Sequence, residues 1–316
     1  MKKIISLFIG FLVIFSSYAQ IDMKDSTVQI VAYWEKGEKV SYVLTKSKYK
    51  INNTDSVLTQ QIKYDVDVTI VDSTAKSYIC EWVIHKPEVI VGREELKKIF
   101  SEMPSMKYRI KTNELGVFQD LLNWKEIKKE NQNLFTKLSK TYKDNPIITD
   151  FFKQTMKQTS TKEGVKKMSE DILHFYFFYG LVYKLGEPVE TASKVPFLFS
   201  DHTLDSKCRI GVVDLFPEDQ YSILYYTEFV DPNQVKEACN SMLNSLIKAD
   251  VNLFKSSDNE MYVSEDSYIL TLTSGIHETG WPLYWIYSIS FNVESYHLYE
   301  EFTMEMKFDE EENTEK

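Results

Sequence analysis

The chain has 316 residues, of which 43% are hydrophobic and 27% charged, with a formal net charge of −10. Its 10 Gly and 8 Pro are too few for a low-complexity or collagen-like chain, and its three Cys cannot frame a disulfide scaffold. The acidic balance argues against a nucleic-acid partner, while 44 aromatic residues (5 Trp, 20 Tyr, 19 Phe) mark a globular protein with a large apolar interior.

Lys2 and Lys3 precede an apolar run from Ile4 to Phe15, and Ser17 and Ala19 then stand where a signal peptidase needs small residues. This pattern predicts a signal peptide over residues 1–19, cleaved after Ala19, and an exported protein of the periplasm or cell exterior. The run is too short for the roughly 20 apolar residues of a spanning helix, and no later stretch qualifies as a transmembrane segment.

From Gln20 onward the pattern turns to period two. Ile62, Tyr64, Val66, Val68 and Ile70 share one face, and Lys63, Asp65, Asp67 and Thr69 the other, as in a half-exposed antiparallel strand. Segments 28–34, 39–46, 76–85 and 106–112 read the same way, and a parity shift between Leu44 and Tyr49 predicts a bulge. A short helix is expected near 93–103. A helical block follows. Trp124, Ile127, Leu134, Leu138 and Tyr142 recur at helical spacing, Pro146 opens a second helix, and Val165, Met168, Ile172, Phe175 and Tyr179 form the stripe of a third, over 163–180. Strands are expected at 185–199, 207–215 and 220–230. Asp231-Pro232-Asn233-Gln234 starts a helix running to about Ala249. Strands near 260–273, 283–293 and 296–308 precede an acidic tail, 309–316.

These elements predict an α+β fold in which strongly curved antiparallel sheets wrap around, or are covered by, about five helices. A boundary near residue 182 would divide a β-meander with its helical block (20–182) from a C-terminal sheet with one helix (183–308). One continuous domain over 20–308 is the alternative. Cys80, Cys208 and Cys239 each fall on an apolar face and read as small buried hydrophobes.

Residues 172–183 are apolar on nearly every side, as suits a helix buried on every side. The same residues suit the wall of an apolar ligand site, which is concave, aromatic and sparing of polar groups. The wall candidates are His174, Phe175, Phe178 and Tyr179 there, with Trp281 and Trp285 from the turn segment 274–282 and the strand after it. Metal chemistry finds no ligand spacing, because His277-Glu278 and His297 lack partners at the intervals a cation needs. No nucleophile elbow, phosphate loop or other cofactor motif is present. A hydrolase would need His174, His202, His277 and His297 to converge with acids from distant segments. Asp201 to Asp205 reads as a solvated hairpin turn, and the Lys107, Arg109 and Lys111 strip as a solvated strand face. Asp25-Ser26-Thr27, Asp55-Ser56-Val57 and Asp72-Ser73-Thr74 resemble O-glycosylation acceptors of some secreted Gram-negative proteins, with Ser26, Ser56 and Ser73 as acceptors.

The signal segment, the aromatic strands and Thr279-Gly280-Trp281-Pro282 together resemble uncharacterised secreted β-rich proteins of Gram-negative envelopes. The architecture is also similar to periplasmic lipoprotein-carrier half-barrels, a resemblance that implies an apolar ligand. The expected function is therefore a non-enzymatic, exported binder of an apolar or amphipathic small molecule or lipid. A structural or protein-interaction module, partnered by another envelope protein, is the alternative. Intact mass spectrometry of the exported protein checks both processing and modification. The expected chain begins at Gln20, and mass beyond the polypeptide marks use of a serine acceptor. A retained Met1 overturns the first expectation, and a bare polypeptide mass the second.

Overall fold

The computed structural model describes residues 20–52, 55–198, 202–248, 263–293 and 296–308. The expected signal segment, Asp201 and the acidic tail lie outside them. In chain order the elements begin β1 (Ile21–Asp22), β2 (Thr27–Gln29), β3 (Lys39–Asn52), β4 (Asp55–Thr74), β5 (Ser77–Ile84), β6 (Glu88–Val91) and α1 (Glu94–Ser101). Next come β7 (Met106–Asn113), β8 (Phe118–Leu121), α2 (Trp124–Thr141), α3 (Pro146–Gln158), α4 (Lys162–Met168), α5 (Glu170–Phe175), β9 (Val182–Lys184) and β10 (Val189–Pro196). The rest are β11 (Thr203–Phe216), β12 (Tyr221–Val230), α6 (Pro232–Lys248), β13 (Tyr268–His277), β14 (Pro282–Val293) and β15 (Tyr296–Met306).

Twelve strands form one antiparallel sheet in the order β10-β11-β12-β13-β14-β15-β3-β4-β5-β7-β8, with β6 beside β4. The sheet does not close, and β10 and β8 are its edges. Because β15 pairs with β3, residues from both sides of position 182 share this sheet. The α+β class is as expected, with six α-helices among the described residues. Register shifts at Lys48/Tyr49, Ile70/Asp72, Val212/Asp214 and Gly275/Ile276 interrupt the ladders. Each adds an unpaired residue that bends its strand, which curves a sheet this wide. At the first the extra residue is Thr59 of β4, opposite Lys48 and Tyr49, so the bulge expected in β3 between Leu44 and Tyr49 lies in the partner strand instead.

Alternation gives the sheet one apolar face. Tyr42 and Leu44 of β3, Val66 and Val68 of β4, Cys80 and Trp82 of β5, Leu272 of β13, Trp285 of β14 and Met304 of β15 are all buried in one core. Segment 170–180 fills the concavity. Phe175, Tyr176, Phe178 and Tyr179 pack there with Trp34 and Trp281. A second cluster lies between α6 and the far end of the sheet, around Val235, Cys239, Tyr268 and Phe291. A third joins α1, α2 and α3 through Ile99, Phe135, Leu138 and Phe152. All three cysteines are free and buried.

The expected third helix is broken. Ser169 stands between α4 and α5, its Oγ donating to the Val165 carbonyl (3.0 Å), and residues 176–180 form turns. A serine bonded back to the preceding turn bends or ends a helix. Residues 28–34 are also not one strand. Beyond Gln29 the chain becomes a strap whose N–H groups reach loop carbonyls. Ile30 donates to Leu181 (3.3 Å), Ala32 to Leu115 (3.1 Å) and Tyr33 to Thr279 (3.1 Å). Gln20 Nε2 adds bonds to the carbonyls of Val31 (2.5 Å) and Glu278 (2.7 Å). The small sheet β1-β2-β9 extends this strap.

Segment 274–282 is likewise not all turn, because β13 continues to His277. Gly275 lies within the strand, where an added Cβ would sit 2.5 Å from the Tyr284 ring. The ring's close approach is what requires glycine there. Gly280 makes the true turn at φ +83°, with the Val31 carbonyl 2.4 Å from the place of a Cβ. The strand begins at Tyr268, and residues 260–262 lie outside the described residues. Thr203–Asp205, expected in a hairpin turn, are the start of β11.

Phe175 is 2% exposed and touches the rings of Trp34, Tyr42, Trp82, Tyr176, Tyr179 and Trp281. Phe175→Ala is expected to cost about 3–5 kcal/mol of stability, read as a lowered urea midpoint at an unchanged slope. A loss below about 1 kcal/mol would show that the plug does not hold the sheet.

Candidate functional site

Alternation and helical periodicity bring four of the six wall candidates into one aromatic plug. The Trp34 ring lies 5.0 Å from Trp281, 5.5 Å from Tyr179 and 6.3 Å from Phe175, centroid to centroid. Phe178 packs on Tyr183 at 6.2 Å. Polar rims of the plug are largely bonded. Trp82 Nε1 donates to Tyr176 Oη (2.8 Å), Tyr183 Oη to the Phe178 carbonyl (3.1 Å), and Tyr179 Oη to the Gly280 carbonyl. Burial pushes the Cys80 thiol up to about 12, against a hydrogen bond with Tyr176. At that value it is a protonated hydrophobe rather than a nucleophile.

The other two candidates meet beside the plug, His174 of α5 against Trp285 of β14. The His174 ring lies 4.1 Å from Tyr287 and 5.6 Å from Trp285, and His174 Nδ1 and Trp285 Nε1 are buried without partners. Burial drives the His174 imidazole down to about 4, with Asp171 pulling it up and Lys46 pushing it down.

One turn earlier, Met168 of α4, Ser169, and Asp171 and Ile172 of α5 border open space. Between them, α2 and strands β3, β4, β5 and β7 lies a crevice of about 190 Å³. Its walls are mainly apolar: Leu44, Ile84, Met106, Leu134, Phe135 and Ile172, with Pro87, Met103, Pro104 and Met168. Tyr64 and Tyr108 add rings, and burial pushes the Tyr108 phenol up to about 12 despite a bond with Ser169. Lys46 pairs with Asp171 beneath, its Nζ 5.6 Å from the ring centres of both Tyr64 and Phe302. His85 Nε2 is bonded to Asp67 at 3.0 Å. Partial burial pushes the Asp67 carboxyl up, but bonds from Ser41, His85 and Lys39 outweigh it and hold the group at about 2.

The remaining lining residue is Asn131 of α2, 3% exposed, whose Nδ2 has no partner. None of the six wall candidates is among the residues that line the crevice, and of the segment just before His174 only Met168, Ser169, Asp171 and Ile172 do. The sequence carried the signal for Asn131. It falls on the buried stripe Ile127, Phe135 and Leu138, where an apolar side chain would ordinarily stand.

The other histidines lie apart. His277 Nδ1 bonds Thr279 Oγ1 (2.9 Å) in the β13–β14 turn, and His297 Nδ1 bonds Asn292 Oδ1 (3.2 Å) across β14 and β15. His202 precedes β11. No group of three or more His, Cys, Asp or Glu side chains stands ready for a metal ion among the described residues. Lys107 and Arg109 are engaged by Glu81 at 2.9 and 3.1 Å. Ser26 sits in a turn at φ 54°, and Ser56 and Ser73 lie near opposite ends of β4. No described helix is long and apolar enough to cross a membrane.

No family model matches the chain, and no curated protein matches it. Among solved structures the chain is similar to lipovitellin, in a structure described as lipid–protein interactions in lipovitellin. The identity is 6% and the TM-score 0.41, over 87% of this chain and 25% of that one. The chain thus spans about a quarter of lipovitellin's length. A porin-like protein from Bacteroides uniformis aligns at 6% identity and TM-score 0.17, over 87% of this chain and 98% of that one.

His174 has a folded-state pKa below its unfolded value, so the unfolded chain binds the extra proton. Its effect is a loss of stability as pH falls from 6.5 to about 4, about 3 kcal/mol in all. Glu170, raised by burial and then by Asp171, works in the opposite sense. Urea unfolding of His174→Phe and the parent chain at pH 7 and pH 5 isolates the histidine. The variant is expected to lose less stability on acidification, and equal losses would refute the assignment.

Proposed function

We propose that this chain is an exported cell-envelope protein that binds an apolar or amphipathic ligand without transforming it. The observation that carries the reading is the crevice beside the plug. A larger, more open space of about 990 Å³ lies between β10, β11, β12 and the start of α6, bordered by Lys194, Asp205, Lys207 and Asp231, whereas the crevice has mainly apolar walls, the composition of a small-molecule site. Its 190 Å³ exceeds the roughly 150 Å³ that admits a benzene-sized ligand. It accepts a ring or a short branched chain, and a longer acyl chain would seat one end there. Met168, a lining residue 38% exposed, marks the opening. His174, Phe175, Phe178, Tyr179, Trp281 and Trp285 act in this reading as the rigid packing that anchors the end of α5 to the sheet beside the crevice. The first nineteen residues support export.

A second reading has its own support. Leu181, Val182, Leu185 and Val189 are 52%, 60%, 38% and 58% exposed around β9 and the edge strand β10. Apolar side chains grouped at a sheet edge suit a protein partner, as a structural or interaction module would require.

Toluene tests the first reading. A ligand that binds only the folded chain stabilises it by about 2.7 kcal/mol at one hundred times its dissociation constant. Toluene is expected to raise the thermal midpoint, and Leu134→Trp, which fills the crevice, to abolish the rise. An unchanged midpoint in the parent chain sinks the proposal.

A further inference from the structure

We propose that β10 pairs with β10 of a second copy of this chain, antiparallel and centred on Ala192, so that the two sheets run on as one. The inference rests on the exposed edge of the second reading, whose partner it names, and does not depend on the crevice.

The argument begins with the sequence of the strand. Residues 188–196 read Pro-Val-Glu-Thr-Ala-Ser-Lys-Val-Pro. Turned end for end about Ala192, the segment sets Glu190 against Lys194, Thr191 against Ser193, Val189 against Val195 and Pro188 against Pro196. A two-fold interface demands this self-complementarity, because each residue that contacts another is contacted by it in turn. The two prolines confine the pairing to the residues between them, all of which keep a backbone N–H. Among the described residues no strand lies beyond β10. The outward N–H and C=O groups of an edge strand are a template for another strand.

Register decides the faces. Thr191, Ser193 and Val195 stand opposite Cys208, Ser206 and Leu204 of β11, all buried. Glu190, Ala192 and Lys194 stand opposite Arg209, Lys207 and Asp205, all exposed. Glu190 pairs with Arg209 at 3.5 Å, and Lys194 with Asp205. Across the two-fold these pairs join into a row over four strands: Arg209, Glu190, the partner's Lys194 and the partner's Asp205, alternating in sign. The same row runs in reverse on the other side of Ala192. On the core face Val189, 58% exposed in the single chain, meets the partner's Val195. Other registers lose this match. Centring on Glu190 or Lys194 opposes like charges, and centring on Thr191 or Ser193 leaves both charges without an opposite. Charge complementarity within one strand therefore selects a copy of itself.

Sedimentation equilibrium of the chain from Gln20 onward, from micromolar to millimolar concentration, tests this. The parent chain is expected to pass from monomer to dimer across that range. Glu190→Lys alone and Lys194→Glu alone each oppose like charges twice per dimer, and each is expected to weaken association about tenfold or more. Both side chains are largely exposed, 71% and 67%, and circular dichroism reports the fold of each variant. Mixed in equal amounts, the two variants restore opposite charges at both positions and are expected to recover the dimer. A parent chain that stays monomeric, single variants that dimerise as the parent does, or a mixture that stays monomeric overturns the proposal. None of these outcomes alters the toluene response of the crevice, and loss of that response with the dimer intact overturns the crevice alone.

Discussion

A wide antiparallel sheet with one apolar face must have that face covered, and the rest of this structure answers that requirement. Twelve strands present Tyr42, Val66, Trp82, Trp285 and Met304 to one side. The covering element is short. Helix α5 and the turns after it push Phe175, Tyr176, Phe178 and Tyr179 into the concavity, where Trp34 and Trp281 meet them. Large rings suit the task because each buries much area at fixed geometry and edge-to-face contacts add to the burial. Strap 30–34 then ties the plug to three loops by backbone bonds.

Filling a curved space with rigid rings brings polar atoms inside. Most are satisfied in pairs, as Trp82 with Tyr176 and Tyr179 with Gly280. At the far side of the concavity, Glu228 is buried with Ser206 Oγ at 2.6 Å and Tyr226 Oη bonded to its other oxygen. Where bonding is complete, the interior is architecture. Bonding is incomplete at Asn131, whose buried Nδ2 lacks a partner on a residue that lines the crevice. His174 Nδ1 is likewise buried without a partner, and its consequence is for stability.

The legibility of these features followed their range along the chain. Strand faces could be read because alternation is local, whereas the bulge expected between Leu44 and Tyr49 of β3 falls at Thr59 of the partner strand, because pairing across strands decides which one carries the extra residue. The start of α6 was legible in Asp231-Pro232, where Asp231 Oδ1 accepts from the N–H groups of Asn233 (2.9 Å) and Gln234 (3.0 Å). The glycines misled at Gly275, since a turn and a close ring approach leave the same mark in sequence. The helix break at Ser169 was hidden because the apolar spacing from Val165 to Tyr179 continues through it. The six aromatic candidates were visible as a group, but the crevice was not. Its walls come from α2, α4, α5 and four strands, and no window of sequence contains them.

The sequence by itself determined the class of fold, the apolar face of each strand, the buried state of the cysteines and the density of aromatic side chains at 172–183. Those properties depend on neighbours within a few residues, and periodicity records them. Only the tertiary structure decided that this aromatic segment is a plug bonded to a strap about 140 residues before it, between β2 and β3, and that the crevice lies a turn earlier, beside Asn131. That outcome depends on how far curvature carries the sheet from α2 and α5, which is set by bulges and ring volumes acting together across the whole chain.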